Sequence, residues 1–291
     1  MKDNFKKNVP ISNSSEREIK KIHISELKSA EIRPFKVKMD ETLIELAESI
    51  RLNGVLEAIT VRKHKKGGYE ILSGYRRVEA CKLAKVIKIP AIIKELDDDN
   101  AIILMVDSNM HREKILPSEK GYAYKLKLDA LKRQGKRSDL TSSQIGTKLR
   151  ADEVLAKSVG ESRNQVQRYI RLTNLIDKLL NMVDNDVIPL NAAVELSYLG
   201  SKAQADIADI IEKDEIKVSI NQATKIKQIS KDGKINYDVL ELILTEEKPE
   251  KFNITLKEKK LKKYFPENYS KKQIENIVFQ LLELWYKSQK K

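Results

Sequence analysis

The strongest constraint on the fold of this chain is a change of residue periodicity at Gly74. Before it, the short apolar run at residues 69–72 has the composition of a β-strand. After it, apolar residues recur at helical spacing, at Val78, Ala80, Cys81 and Leu83. The sequence therefore predicts a strand, a tight turn at Gly74 and a helix, which is an α/β unit.

Two adjacent arginines, Arg76 and Arg77, lie in the first turn of that predicted helix. The start of a helix exposes unpaired N–H groups and the positive end of its dipole, so it attracts anions. The arginines add charge at that place, and the pattern indicates a phosphate site. The alternative is that both pair with surface carboxylates such as Glu79.

The chain has 291 residues, which is enough for two or three domains. Its single cysteine, Cys81, excludes an internal disulfide, and its three histidines form no pattern with zinc-ligand spacing. No apolar run approaches the about 18 residues that span a bilayer. We therefore expect a cytoplasmic protein that does not use a membrane.

The order of predicted elements gives an α+β fold in three domains. Residues 1–18 are predicted to be a flexible basic tail, and 19–115 a small α/β domain. Residues 116–230 are predicted to be helical, with a polar loop at 132–146, and 231–291 a small α/β domain. The predicted strands lie at residues 21–25, 58–62, 69–72, 89–96 and 251–256. A helix capped by Asp40 is predicted to end at Gly54, and others begin near residue 97 and at Pro117.

The net charge of +13 is concentrated in one segment. Residues 120–171 contain 13 Lys/Arg against 5 Asp/Glu, whereas residues 172–230 contain 6 against 9. Within the basic segment, residues 151–172 form two short predicted helices separated by Gly160. This pattern fits a helix-turn-helix, with an ordinary helical hairpin as the alternative, and the local charge favours DNA binding.

Each of the two short helices has a predicted inward face. It consists of Val154, Leu155 and Val159 on the first helix and of Val166, Tyr169 and Ile170 on the second. Ser162 and Gln165 form a capping-box pattern at the start of the second helix. The predicted DNA-binding residues are Ser162, Arg163, Asn164, Gln165, Gln167, Arg168 and Arg171.

With the segment DSNMHREKILPSEKGYAY at residues 107–124 between these two features, the chain resembles the ParB family of partition proteins over about residues 19–200. The resemblance implies a nucleotide-binding domain that takes CTP and Mg²⁺, a helix-turn-helix for double-stranded DNA with a centromere-like site, and a C-terminal dimerisation domain. It also implies a homodimeric clamp gated by nucleotide, and a ParA-type ATPase as a further partner.

The resemblance also assigns residues to the nucleotide site. Arg76 and Arg77 would hold the triphosphate beside Ser73 and Gly74, and Asn109 would contact a magnesium ion, with Glu113 or Asp107 assisting. Two positions depart from the family pattern, because Tyr75 stands where an acid is usual and Ser108 replaces a glutamate. We therefore expect nucleotide binding, with weak CTPase activity at most.

Three functions remain open from the sequence. The first is a CTP-gated DNA clamp that partitions a plasmid or another mobile element in association with the nucleoid. The second is a DNA-binding regulator of the same fold without nucleotide switching, which the missing acid at Tyr75 favours. The third is a small-molecule kinase, which leaves the basic helix-turn-helix unexplained.

The predicted C-terminal helix carries an apolar stripe formed by Ile274, Ile277, Val278, Leu281 and Trp285. We expect this stripe to join two copies of the chain, because a helix-turn-helix protein gains specificity by pairing two half-sites. The alternative is that the stripe packs within one chain on the preceding strand and Tyr264.

Overall fold

The computed structural model describes residues 19–110, 112, 114–139, 150–233, 235–246, 263–265 and 269–289. The chain divides into two compact units, Met1–Thr245 and Glu246–Lys291. The predicted tail at 1–18 and the predicted strand at 251–256 lie outside the described residues. The predicted domain limits near residues 115 and 230 stay predictions.

The first unit begins with a mixed five-stranded sheet. Its strands are β1 (Ile19–His23), β2 (Leu27–Lys28), β3 (Ile59–Lys63), β4 (Tyr69–Ser73) and β5 (Lys88–Ile93). They lie in the order β1-β5-β3-β4-β2, with β3 parallel to β5 and antiparallel to β4. The first predicted strand, 21–25, is shifted, because the ring of His23 accepts a hydrogen bond from Ser25 N (3.3 Å) and turns the chain into a 3-10 helix.

Two helices, α1 (Glu41–Asn53) and α2 (Tyr75–Leu83), share one core with this sheet. In β3, Ile59 and Val61 are buried and the residues between and after them are not, as expected for a strand with one face in a core. The Asp40 side chain accepts a hydrogen bond from Leu43 N (2.9 Å), which confirms it as the N-cap of α1. The shared core contains Leu43, Ala47, Ile50, Ile59, Val61, Ile71, Val78 and Cys81.

The rest of the described first unit is helical, and this extends past the predicted helical segment at 116–230 into residues predicted to form a small α/β domain. Its helices are α3 (Asp98–Met110), α4 (Pro117–Asp139), α5 (Ala151–Val159), α6 (Arg163–Leu172), α7 (Asp177–Asp184), α8 (Leu190–Leu196), α9 (Ser201–Asp214), α10 (Ile220–Lys231) and α11 (Tyr237–Thr245). A large apolar core runs from the end of α6 to α11.

The predicted loop at 132–146 is wrong in its first half, because α4 continues as a helix to Asp139. Lysine, arginine and glutamine are good helix formers, and they outweigh the single Gly135. Arg133 also forms an ion pair with Asp99 of α3 (2.7 Å), which supports this turn of α4. Residues 140–149 lie outside the described residues.

The start of α4 is held by two carboxylates from other segments. Asp184 of α7 accepts hydrogen bonds from the Ser118 backbone N (2.9 Å) and hydroxyl (2.5 Å). Buried Glu119 accepts a hydrogen bond from Lys36 N (2.9 Å), in the loop before α1. Helix α4 is therefore fixed to the α/β region and to the following helices at once.

The described part of the second unit contains the predicted C-terminal helix, α12 (Lys271–Gln289). Within the stripe, Ile274, Ile277 and Val278 are partly exposed, and Leu281 and Trp285 are exposed. Other large apolar side chains of α12 are exposed as well, namely Phe279, Leu282, Leu284 and Tyr286. Among the described residues, no helix is both long and apolar enough to cross a membrane.

Replacing each of two glycines of α4 by alanine should change the stability of the protein in opposite directions. A Cβ at Gly121 would lie 2.6 Å from the backbone O of Tyr169 in α6, whereas nothing lies within 4 Å of a Cβ at Gly135. Gly135→Ala should raise the melting temperature, because alanine is better than glycine in a helix by about 1 kcal/mol. Gly121→Ala should lower it, because overpacking costs about 1–3 kcal/mol. Thermal unfolding followed by circular dichroism tests this, and an equal rise for both variants would contradict the close contact.

Candidate functional site

The turn at Gly74 joins β4 to α2 as predicted. Its φ is 100°, in the left-handed region, and a Cβ there would lie 2.5 Å from Cγ2 of Ile59. Only glycine fits both requirements. Because glycine has no side chain to cap the helix, the first N–H groups of α2 are left to a ligand or water. Ser73, the last residue of β4, adjoins this helix start.

Arg76 joins the starts of two helices. Its guanidinium donates to both carboxylate oxygens of Asp40 (3.2 and 3.3 Å) and to the Thr42 hydroxyl (2.5 Å). The hydrogen bond from Arg76, followed by that from Thr42, lowers the pKa of Asp40 from 3.8 to about 2. Arg76 is thus already oriented, and its partner carboxylate stays ionised at neutral pH.

Arg77 is held on the other side of the turn. It donates to the backbone O of Ala58 (3.2 Å) and forms an ion pair with Glu57. Glu79, named as an alternative partner of the arginines, instead pairs with Lys82 (2.9 Å). Both arginines do pair with carboxylates, but the carboxylates come from α1 and the loop before β3. An anion at this helix start would therefore compete with Asp40 and Glu57.

A third and a fourth guanidinium belong to this region, and sequence reasoning assigned neither to the site. Arg112 lies over the ring of Phe35, with Cζ 5.5 Å from its centroid. Burial lowers the pKa of Arg112, nearby Glu119 opposes this, and the positive charges of Arg76 and Arg33 lower it further. Arg33, Arg76 and Arg112 thus interact electrostatically, and we call these three residues the arginine cluster.

The arginine cluster brings together segments that are distant in sequence. Arg33 precedes α1, Arg76 begins α2, and Arg112 follows α3. Among the described residues, its nearby carboxylates are Asp40 and Glu119, which sets three positive charges against two negative ones. Like charges placed together are unfavourable unless an anion offsets them. The arrangement is suited to an anion with several oxygens, such as a polyphosphate.

Tyr75, at the position of the missing acid, is a core residue. Its hydroxyl donates to Ile71 O (2.9 Å) and accepts from Ala30 N (3.1 Å), and burial raises its pKa. The guanidinium of Arg33 lies over its ring, 4.8 Å from the centroid. Tyr75 therefore supplies no carboxylate, and it supports the loop that carries Arg33.

The predicted magnesium site finds limited support in the described residues. Asn109 is buried, and its amide nitrogen donates to Met105 O (2.7 Å) of its own helix, which leaves only its amide oxygen as a ligand. Ser108 likewise donates to Met105 O (3.0 Å). Glu113 lies outside the described residues, and those described contain no group of three or more acidic, histidine or cysteine side chains suited to a metal. Asn109 is therefore a predicted magnesium ligand whose oxygen the described residues leave available.

The helix-turn-helix pattern matches α5 and α6. Gly160 ends α5 in the left-handed conformation, and Ser162 caps α6 by accepting from Gln165 N (3.2 Å). Leu155 and Val166 are buried against Tyr124 of α4, but the prediction that Val154 faces inward is wrong. Val154 is exposed, because the face of α5 that packs in this core is centred on Leu155 and Ala156.

The predicted DNA-binding residues form one face of α6. The exposed ones are Ser162, Arg163, Asn164, Gln167 and Arg168, whereas Gln165 and Arg171 are partly buried. Arg163 lies 3.6 Å from Asp152 and from Glu153 of α5, so it is loosely restrained. Asn164, Gln167 and Arg168 are presented to solvent at the start and middle of the helix, where a recognition helix reads bases.

A buried lysine links the two sites. Lys127 of α4 pairs with Asp107 of α3 and donates to the Ser158 hydroxyl of α5 (2.7 Å). Its side chain is only 3% exposed. The segment that carries Asn109 is thereby tied to the first helix of the helix-turn-helix.

These features define a protein that joins an arginine-rich α/β region to a helix-turn-helix. Comparison with known families agrees: residues 9–110 match the ParB N-terminal domain and 140–231 the ParB HTH domain, together about two thirds of the chain. The chain therefore belongs to the ParB family.

Individual relatives have been found at moderate identity. The probable chromosome-partitioning protein ParB of Vibrio cholerae is 31% identical over 207 residues, covering 71% of this chain and 65% of the relative. Stage 0 sporulation protein J of Bacillus subtilis is 31% identical, covering 68% and 64%. The chain thus spans just under two thirds of their length.

A similar solved structure is the truncated ParB of Caulobacter crescentus with the centromeric parS site. It has 20% identity and a TM-score of 0.41, and the match covers 72% of this chain and 99% of that one. Because this score is low, the family assignment rests on the sequence matches.

The pairing of Arg76 with Asp40 predicts a pH dependence. A lowered pKa in the folded state means that Asp40 contributes stability above its ordinary pKa of 3.8, and this is lost as the pH falls through about 2. In NMR titration, the Asp40 carboxyl should titrate near 2 in the original chain and at a higher pH in Arg76→Ala, where the hydrogen bonds from Thr42 and Leu43 N remain. A pKa unchanged by the substitution would contradict the pairing.

Proposed function

We propose that this protein is a partition protein that binds a centromere-like site in double-stranded DNA and acts as a homodimeric clamp gated by CTP. The observation that carries the proposal is the arginine cluster at the start of α2, joined through α4 to a helix-turn-helix. The names of the relatives support a role in chromosome partitioning. Its place on a plasmid or mobile element is a further part of the proposal.

In the nucleotide site, each residue has a role that follows from its position. The bound nucleotide supplies a triphosphate whose charge the arginines offset. The N–H groups at the start of α2 donate to its oxygens, and Gly74 allows close approach of the backbone. Arg33, Arg76, Arg77 and Arg112 provide charge-assisted hydrogen bonds, which are stronger than neutral ones. Asp40 and Glu57 orient Arg76 and Arg77 until the anion competes for them.

In the DNA site, α6 is the recognition helix. Asn and Gln side chains pair with adenine, and Arg with guanine, in the major groove. Asn164, Gln167 and Arg168 are placed to read bases, and the capping residue Ser162 lies at the helix start that approaches the backbone. The link from Asp107 through Lys127 to Ser158 offers a path by which nucleotide binding affects DNA binding.

A second function, a DNA-binding regulator without nucleotide switching, is favoured by two observations. Tyr75 supplies a buried hydroxyl in place of an acid, and the Asn109 amide nitrogen is engaged by its own helix. These features argue against efficient hydrolysis, but they leave the four arginines in place. Kinase activity has the least support, because Tyr75 also removes a proton acceptor.

The first test concerns the nucleotide. Arg77→Ala should lower the affinity for CTP about 10- to 100-fold, as expected for a charge-assisted phosphate bond worth about 1.5–3 kcal/mol. Lys82→Ala, on the same helix but paired with Glu79, is the control and should bind normally. Calorimetry with CTP measures both. Equal affinities for Arg77→Ala and the original chain would refute this role of Arg77.

The second test concerns base reading by α6. Selection from random duplexes should yield one preferred site, and Asn164→Ala should relax one position of it by about 1–3 kcal/mol. Lys157→Ala, on the exposed side of α5, should weaken all sequences alike if that lysine meets phosphate. If substitutions at Arg163, Asn164, Gln167 and Arg168 all leave the selected site unchanged, α6 is not the recognition helix.

The third test concerns the homodimer, which we propose to form through α12. The exposed apolar side chains of this helix would be covered by a second copy. Leu281→Asp should shift the protein from dimer to monomer in sedimentation, because a charge would be buried at the joint. Asn276→Asp adds the same charge on the opposite face and should stay dimeric. If Leu281→Asp remained dimeric, the dimer interface would not be formed by this face of α12.

A ParA-type ATPase is the further partner that family membership suggests.

A further inference from the structure

A stack of charged and aromatic side chains adjoins the end of α6. The guanidinium of Arg171 lies 3.8 Å from the ring centroid of Tyr198, and the amine of Lys227 lies 3.9 Å from the same centroid. Two cations so close to one centroid fit only on opposite faces of the ring. Glu195 completes the group by pairing with Lys227 (2.8 Å). We call Arg171, Glu195, Tyr198 and Lys227 the Tyr198 platform.

The Tyr198 platform carries one positive charge that no member offsets. Arg171 donates to the hydroxyl and the backbone O of Ser197 (both 3.1 Å), and neither group is charged. Lys227, in contrast, is neutralised by Glu195. Tyr198 itself is 52% exposed, so the stack reaches the surface. Arg171 is therefore held in one orientation while its charge remains available.

The position of the platform relates it to the reading face of α6. Arg163, Gln167 and Arg171 are spaced by four residues and share one side of the helix. Arg171 lies about 12 Å along the helix axis from Arg163, at about 1.5 Å per residue. The major groove is also about 12 Å wide. When the start of α6 meets the bases, its end reaches the edge of the groove, where the sugar-phosphate backbone lies.

We infer that the Tyr198 platform binds a DNA phosphate at the end of the recognition helix, extending the DNA interface from α6 to α8 and α10. The inference rests on the proposed DNA binding and adds a contact that carries no base preference. The aromatic ring and Ser197 orient Arg171 before DNA arrives, which lowers the entropy lost on binding. The competing explanation is that the stack only packs α6, α8 and α10 together.

Substitutions at Glu195 and Lys227 should change the salt dependence of DNA binding in opposite directions. Glu195→Gln frees the charge of Lys227, so one more phosphate can be neutralised. In Lys227→Gln, the negative charge of Glu195 offsets the positive charge of Arg171, so the platform neutralises one phosphate fewer. The slope of log affinity against log salt should become steeper by about 0.9 in Glu195→Gln and shallower by about 0.9 in Lys227→Gln. Between about 50 and 200 mM salt, a slope change of about 0.9 makes the fall in affinity about three- to fourfold larger in Glu195→Gln and about three- to fourfold smaller in Lys227→Gln.

The measurement uses the full chain and a random-sequence duplex, with a selected duplex in parallel. Because phosphates carry no sequence, both duplexes should show the same slope changes. The ion pair of Lys213 with Glu241 (2.9 Å) provides the control, and neither Lys213→Gln nor Glu241→Gln should change the slope. Melting temperatures verify that each variant is folded, and Glu195→Gln preserves the side-chain shape.

Unchanged slopes in both platform variants, or equal changes in the control variants, would overturn the inference. The first result would mean a packing role only, and the second an effect of net charge alone. Failure of the proposed function is a different result: the original chain would then bind selected and random duplexes equally.

Discussion

Helix α4 imposes the constraint on which the rest of the first unit depends. Its backbone passes so close to α6 at Gly121 that a methyl group would meet Tyr169 O. The same helix is held at its start by Asp184 and, through Glu119, to the loop before α1. A single rigid element therefore sets the position of the recognition helix and of the segment that carries Arg33.

The packing of α4 also determines which charges lie near the arginine cluster. Glu119 accepts hydrogen bonds from two backbone N–H groups, at Lys36 and Leu116, and its charge also acts on Arg112. Three guanidiniums are gathered there, and Asp40 and Glu119 are the carboxylates that oppose them in the described part of the chain. Such a cluster stores unfavourable repulsion that a polyanion relieves, so ligand binding and local packing are coupled. Lys127, buried between Asp107 and Ser158, extends that coupling to α5.

Features set by neighbouring residues could be predicted from the sequence. The caps at Asp40 and Ser162 depend on hydrogen bonds within three residues, and Gly74 and Pro117 are residue types that by themselves indicate a tight turn and a helix start. The prediction from periodicity that Val154 is buried was wrong, because a contact between helices decides which side of α5 is covered. The loop predicted from residue 132 was wrong in its first half, because the helix propensity of its neighbours outweighs the single Gly135. The arginine cluster joins three distant segments, so no local pattern marks Arg33 as its member.

The central claim is that a nucleotide triphosphate binds at the start of α2 within the arginine cluster. Amide hydrogen exchange on the full chain, with and without CTP and Mg²⁺, tests it most directly, because it locates the bound ligand on the backbone. The account predicts that CTP slows exchange at residues 73–78, with further protection in the loop that carries Arg33 and at the end of α3. Unchanged exchange at residues 73–78 with saturating CTP would contradict it.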